Sequence, residues 1–307
     1  MRIHVLNEIP SPAVHRCRAV TVAVLVLTSA VTAHAHDTWL VAAKSKAAVG
    51  ETVRVALCTG EVFPTSDQSV EADRLARHTV AGGGGKSRID RWVVEEKELA
   101  GYVTVQGPGD LVIAVQTKPK FIELSAAEFE EYLQDERATD ALAAWRARAD
   151  PVPHRSSDGP PSSGREMYTK HAKTFVDVDG PTKIPGYSTS LKMMQYILDL
   201  MPQSNPGQWK SGEEVTVQVL FEGRPASGFR VAGGHDGLPP HTYVVEAVTD
   251  THGMAKFRFP RAGLWFLRTH TIRPIKPDMA ETSGAEAATP EADWESFWAS
   301  MTFRVGE

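Results

Sequence analysis

Cysteine is almost missing from this chain, with two in 307 residues, Cys17 and Cys58. Cys17 lies in an N-terminal stretch that reads as a removable leader. Cys58 is then left alone, and an exported chain with one thiol has no internal disulfide. It sits in the apolar run Val53-Arg-Val-Ala-Leu-Cys58 and is expected as a small buried residue. Long hydrophobic runs are equally scarce. The one candidate, Ala19 to Ala33, spans about 15 residues where a membrane-crossing helix needs roughly 20, and no second run follows it. Basic excess is missing too: 33 Lys and Arg against 38 Asp and Glu give a net charge of −5 at pH 7, which argues against nucleic acid as a partner. Familiar catalytic signatures are also absent, with neither a Gly-x-Ser-x-Gly elbow nor a His-Glu-x-x-His helix. Gly82 to Ser87 invites comparison with a phosphate loop, but Lys86 would need a glycine at position 80, which is Val80. A flexible hairpin connection is expected there. The acidic runs Glu95 to Glu98 and Glu128 to Glu131 read as solvated faces rather than a catalytic pair.

What is present begins with the leader. Arg2, Arg16 and Arg18 precede the apolar run, which closes in the small-x-small pattern Ala33-His34-Ala35. Residues 1–35 are expected to be a signal peptide, leaving a periplasmic chain without a transmembrane segment. Cleavage after Ala35 makes His36 the first residue. Its terminal amine and its imidazole then close one compact chelate ring around a metal ion. The amine, with a pKa of roughly 7.7–8.0, must give up a proton to do so, and binding tightens as pH rises through that range. Asp37 would supply an oxygen ligand or hold an imidazole by its second nitrogen. Some residue follows every cleavage site, however, and a cut one or two residues away removes the chelate.

Beyond His36 the pattern is that of strands and turns. Asp37 to Ala42 reads as a strand, and Thr52 to Thr59 alternates Val53, Val55 and Leu57 with Arg54 and Ala56. Arg88 to Glu95, Gly101 to Gln106 and Leu111 to Lys118 continue the series. A helical insertion over about 125–148 starts at Ser125, with Glu128 completing a capping box; Ala138 to Arg148 is its second helix. Pro151 to Gly164 reads as a loop, order returns at Arg165, and Pro181 to Thr189 looks like the crossing into a second domain. Seven strands are expected after it: 195–201, 214–221, 228–232, 241–248, 254–259, 264–272 and 297–305, with an acidic loop from Pro277 to Asp293. The fold class expected is mainly β, with two β-sandwich domains over 36–180 and 190–307, the second immunoglobulin-like.

Eleven histidines are the more informative count. Three fall in the leader, leaving His36, His78, His154, His171, His235, His241, His252 and His270. Added to the His36 chelate, a third nitrogen would suit Cu(II) or Ni(II). His270 lies near a strand end, His171 follows the Pro-rich loop, and His235 and His241 share one turn-rich connection. Each taken singly is more commonly a surface or hydrogen-bonded residue than a ligand.

Several short motifs occur in order: His36-Asp-Thr-Trp-Leu40, Gly60-Glu-Val-Phe-Pro64, Phe129-Glu-Glu-Tyr-Leu133, Tyr168-Thr-Lys-His-Ala-Lys173, Leu198-Asp-Leu-Met-Pro-Gln-Ser-Asn-Pro206 and Asp293-Trp-Glu-Ser-Phe-Trp298. In them the chain resembles the periplasmic proteins grouped as domain of unknown function (DUF) 4198. That resemblance implies two β-rich domains, an association with nickel and cobalt uptake, and His36, Asp37 and His270 as shared positions, and it carries no implication of an enzymatic activity; His171 is less constant among relatives. The expected function is a metal-binding accessory of nickel, cobalt or copper uptake or buffering, meeting an envelope transporter or outer-membrane receptor. Two rivals stand beside it. One is a copper-dependent oxidative enzyme built on the His36 chelate, with Trp39, Trp294 and Trp298 as an aromatic substrate face. The other is a non-catalytic sandwich that binds an envelope partner or carbohydrate.

Overall fold

Period-two alternation builds the strands wherever one face meets a core. The computed structural model describes residues 36–82, 85–89, 91–147, 162–178, 196–275 and 292–307. In chain order the strands are β1 (Asp37–Ala42), β2 (Lys46–Ala47), β3 (Thr52–Gly60), β4 (Leu75–Gly82), β5 (Gly85–Ser87), β6 (Trp92–Glu95), β7 (Glu98–Thr104), β8 (Leu111–Thr117), β9 (Lys120–Ser125), β10 (Ser163–Val178), β11 (Leu198–Pro202), β12 (Glu214–Phe221), β13 (Arg224–Pro225), β14 (Arg230–His235), β15 (Val245–Val248), β16 (Met254–Arg258), β17 (Gly263–Pro274) and β18 (Trp294–Val305). Helices α1 (Ala126–Asp135) and α2 (Thr139–Arg146) lie between β9 and β10. The expected leader, the Pro-rich loop around His154, the crossing at 181–189 and most of the acidic loop fall outside the described residues.

Three sheets carry the architecture. The largest runs β15-β14-β17-β18-β10-β8-β4-β5, with β2 and β9 also pairing β10; β1-β3-β7-β6 forms a second sheet, and β11-β12-β13 with β16 on β12 a third. Alternation decides which core each residue of the large sheet joins. Ile113, Val115, Ala172 and Val176 pack against Leu40, Val53, Val55 and Leu57 of the second sheet, on what we call the near face. Val112, Ala114 and Phe175 point the other way, against Leu198, Leu200 and Val217 of the third sheet, on the far face. The large sheet is thus covered on both faces, as a mainly β, sandwich-type fold requires. Each large side chain so buried contributes on the order of 1.5–3 kcal/mol. The described residues from His36 to Glu307 form one compact unit, and strands from both sides of the expected 180–190 boundary enter the large sheet.

Two local devices set the site. The first is the capping box: Ser125 accepts from the Glu128 N–H, and Glu128 accepts in turn from the Ser125 N–H. The helices it starts lay Phe129, Tyr132, Leu133 and Trp145 against Trp294, Trp298 and Ile272. Gly164 admits this packing, since a Cβ there would stand 2.1 Å from Phe129 Cγ. The second device holds β1. One edge of β1 pairs with β3, and carbonyls of the other accept from the large sheet: Ser300 Oγ donates to Thr38 O at 2.6 Å and Thr302 Oγ1 donates to Leu40 O. The chain just after His36 is therefore fixed against the parallel β10–β18 pair.

Candidate functional site

The near face gathers charge where β1 begins. Arg268, on β17 and 4% exposed, donates to Asp37 Oδ2 at 3.0 Å, to Glu136 Oε2 at 2.6 Å and to the Tyr243 hydroxyl. Its guanidinium also lies 5.1 Å from the centroid of the Trp298 ring. Burial opposes the Arg268 charge, but Asp37 and Glu136 outweigh it and hold the guanidinium firmly protonated. Glu136 itself is pushed above the usual carboxylate range by burial, with Arg268 pulling the other way. This network ties β1, the end of α1 and the Tyr243 loop to the large sheet. Its polar atoms face one another.

Beside it the polar groups are not all matched. A cleft of about 220 Å³ is lined by His36, Lys170, Glu166, Tyr132, Tyr168 and Trp298, among others. Lys170 Nζ donates to the His36 carbonyl and lies 5.5 Å from the Tyr168 ring centroid; among the described residues it forms no ion pair. Burial pushes its pKa down to about 8, with Asp37 countering. Glu166 is fully buried: its Oε1 accepts from Tyr132 OH at 3.2 Å and from Ser296 Oγ, which in turn accepts from Trp298 Nε1 at 2.9 Å. Its Oε2 has no partner. Burial pushes the Glu166 carboxyl up to about 7.

The chain matches the model of a domain of unknown function, DUF4198, over residues 33–273. It belongs to that family. No curated protein matches it. Among solved structures it is similar to the D0-D1 domain of Intimin, at 10% identity over 86% of this chain and 96% of that one, with a TM-score of 0.19. It is similar also to FdeC, an Escherichia coli adhesin, at 13% identity over 89% of this chain and 65% of that one, with a TM-score of 0.22. Likenesses this distant say nothing about the site.

Within this DUF4198 chain, the six residues expected around a metal divide between two faces. His36 and Asp37 are neighbours at the head of β1, and Asp37 is engaged by Arg268. His270 shares their face: its ring stacks on Trp298 with centroids 4.5 Å apart and 19° between planes. Burial first, and then Arg268 and Arg230, hold His270 well below the usual imidazole range. The neutral ring keeps a lone pair, yet two guanidinium groups make its surroundings cationic. His241, at a positive φ of 52°, lines a separate crevice together with Asp37 and Tyr243. His171 is turned away. It pairs in register with Ala299 of the far core and rests on Tyr196 at 5.2 Å, so the sheet lies between it and the Arg268 network. Its Nδ1 donates to Trp298 O at 3.2 Å, its Nε2 has no partner, and burial lowers it to about 4. His235 sets its ring edge-on to Trp265 of the far core at 4.9 Å, with Nδ1 donating to Asp236 O at 2.7 Å, and also borders the crevice of His241 and Asp37. Among the described residues no three His, Cys, Asp or Glu side chains converge as a metal site.

Sequence reasoning missed Arg268, Glu136, Glu166 and Lys170 as site residues. Their hydrogen-bond partners come from 25 to 231 positions away, and no local motif announces them. One weak signal existed: Arg268 and His270 sit two apart on a strand, hence on one face. Cys58 matches expectation, being 1% exposed with its thiol pushed up to about 12 by burial and by Glu98. Helices long and apolar enough to cross a membrane do not occur among the described residues.

Proposed function

We propose that this chain is an exported metal-binding protein of the cell envelope, an accessory of nickel, cobalt or copper uptake or buffering. Its site is the His36 terminus exposed by removal of residues 1–35. The observation that carries the reading is the position of His36: it lines the 220 Å³ cleft and directly precedes a strand clamped on both edges. A chain cut before His36 would carry its new amine and its imidazole on rigid backbone at the cleft, where little ordering entropy remains to be lost on binding. The amine and ring of His36 are the two donors that one residue can offer without help from elsewhere. Asp37, held by Arg268, acts by anchoring His36 rather than as a ligand. The assignment is consistent with the association with nickel and cobalt uptake that the sequence resemblance implies. The metal's identity follows supply, since amine and imidazole nitrogens favour copper over nickel and cobalt in vitro.

The copper-oxidase reading is weaker. Trp39, Trp294 and Trp298 are 1%, 0% and 6% exposed, so they pack the interior and present no flat aromatic surface to a polymer.

Terminal sequencing of the exported protein, followed by metal analysis of it and of His36→Ala, tests the proposal. The expected result is a chain that starts at His36 and holds one metal ion, with the variant losing it. A chain that starts elsewhere, or a variant that keeps its metal, overturns the reading.

A further inference from the structure

The cleft beside His36 has more room than an ion fills. Its volume of about 220 Å³ is far more than the roughly 10–15 Å³ that one water requires and falls just short of the roughly 300–1,000 Å³ of drug-sized pockets, which suits a small ligand. Its walls are mixed: half-buried Ile122 and Tyr168 supply apolar surface, nearly buried Leu124, Tyr132 and Trp298 lie behind them, and Thr59 and Gln68 add neutral polar groups. Two ammonium groups line it: Lys170, without an ion-pair partner among the described residues, and the exposed Lys120. The buried Glu166 lines it as well, and its Oε2 carries no hydrogen bond. A buried polar atom left unmatched costs free energy that a ligand's polar group recovers. A neutral sugar would leave the Lys170 charge unmatched, and a bare metal ion would leave the apolar surface uncovered.

We propose that this cleft binds a small hydroxylated aromatic carboxylate, its carboxylate held by Lys170 and Lys120 and its ring lying against Tyr168 and Ile122. The hydroxyl meets Glu166 Oε2. Charge-assisted hydrogen bonds supply the anion recognition, and ring burial supplies the remaining affinity. The inference stands on the cleft's volume and lining groups, and it holds whether or not His36 takes a metal.

Calorimetric titration of the full exported protein, freed of metal on a chelating resin, decides it. The probes are 4-hydroxybenzoate, its neutral analogue 4-hydroxybenzamide, and citrate. One 4-hydroxybenzoate binds per chain, the amide binds at least about tenfold more weakly, and citrate binds more weakly than the aromatic acid. Lys170→Met lowers 4-hydroxybenzoate affinity about tenfold or more. Lys120→Met, at an exposed position that folding does not need, lowers it several-fold and decides the matter if Lys170→Met fails to fold. Equal binding of acid and amide, preference for citrate, affinity unchanged in the lysine variants, or no binding of any probe overturns the proposal.

Discussion

Lys170 and Lys173 sit three residues apart on one strand, and the pleat sends them to opposite faces of the same sheet. On the far face Lys173, 2% exposed, is paired with Asp199 and also donates to Leu200 O at 3.1 Å. That ammonium is sealed between β10 and β11 with its charge answered. On the near face Lys170 meets a backbone carbonyl, an aromatic ring and a cleft. Arg268 repeats the far-face logic on the near side, with two carboxylates and a phenol around one guanidinium. A charge whose partners are complete holds the fold together, whereas one beside open space is available to a ligand. Burial alone does not distinguish the two; the inventory of partners does.

The largest expected effect comes from breaking a complete set. Arg268→Met strands Asp37 and Glu136 and should cost about 3–5 kcal/mol, read by denaturant unfolding, with hydrogen exchange of β1 rising beyond that of β12. A loss below about 1 kcal/mol would mean that the network does not anchor β1. Next comes the contrast between the two lysine sites. Asp199→Ala leaves Lys173 buried without its carboxylate and should cost about 3 kcal/mol, whereas Lys170→Met should stay within about 1 kcal/mol of the parent. Equal losses would erase the distinction between the faces.

A further contrast separates the faces by pH. The Glu166 carboxyl, raised from its ordinary 4.5 to about 7, keeps a proton that the unfolded chain has released. Its contribution to stability therefore falls as pH rises from 4.5 to 7. His171, lowered from 6.5 to about 4, refuses a proton that the unfolded chain accepts, so its contribution rises as pH rises from 4 to 6.5. The two oppose each other across most of that window. Thermal unfolding of Glu166→Gln should show stability climbing more steeply with pH than in the parent, and His171→Phe should show it climbing less. Identical pH profiles for all three proteins would contradict the assigned environments.

Much of the scaffold was legible because local rules and tertiary packing agree there. Thr52 to Thr59 alternates, Asp37 to Ala42 and Leu111 to Lys118 are short apolar runs, and each coincides with a strand within a residue or so. The Ser125 capping box is present as read. Strands β4 and β9 went unread, and β10 was noted only as a return of order. Strand β10 is buried on both faces, yet it carries Glu166, Lys170, His171 and Lys173, a composition that reads as surface. Its polar groups find partners in β11, β18 and α1, and its parallel pairing with β18 joins residues about 128 positions apart. Local periodicity holds no trace of such pairings. The site was legible only at its head, where His36 and Asp37 follow a leader-like run, and the histidine count drew attention to His171, which alternation turns to the far core, and to His235, which sets its ring against Trp265.

The central claim is that the His36 terminus grips a metal. Its most direct test is titration with Ni(II) and Cu(II) of the protein beginning at His36 against the same chain carrying one extra Gly before it. The extension takes the amine out of the His36 chelate and leaves every side chain in place. The account predicts one tightly bound ion for the native terminus and the loss of most of that affinity on extension. Equal binding by the two chains, or none by either, would contradict it.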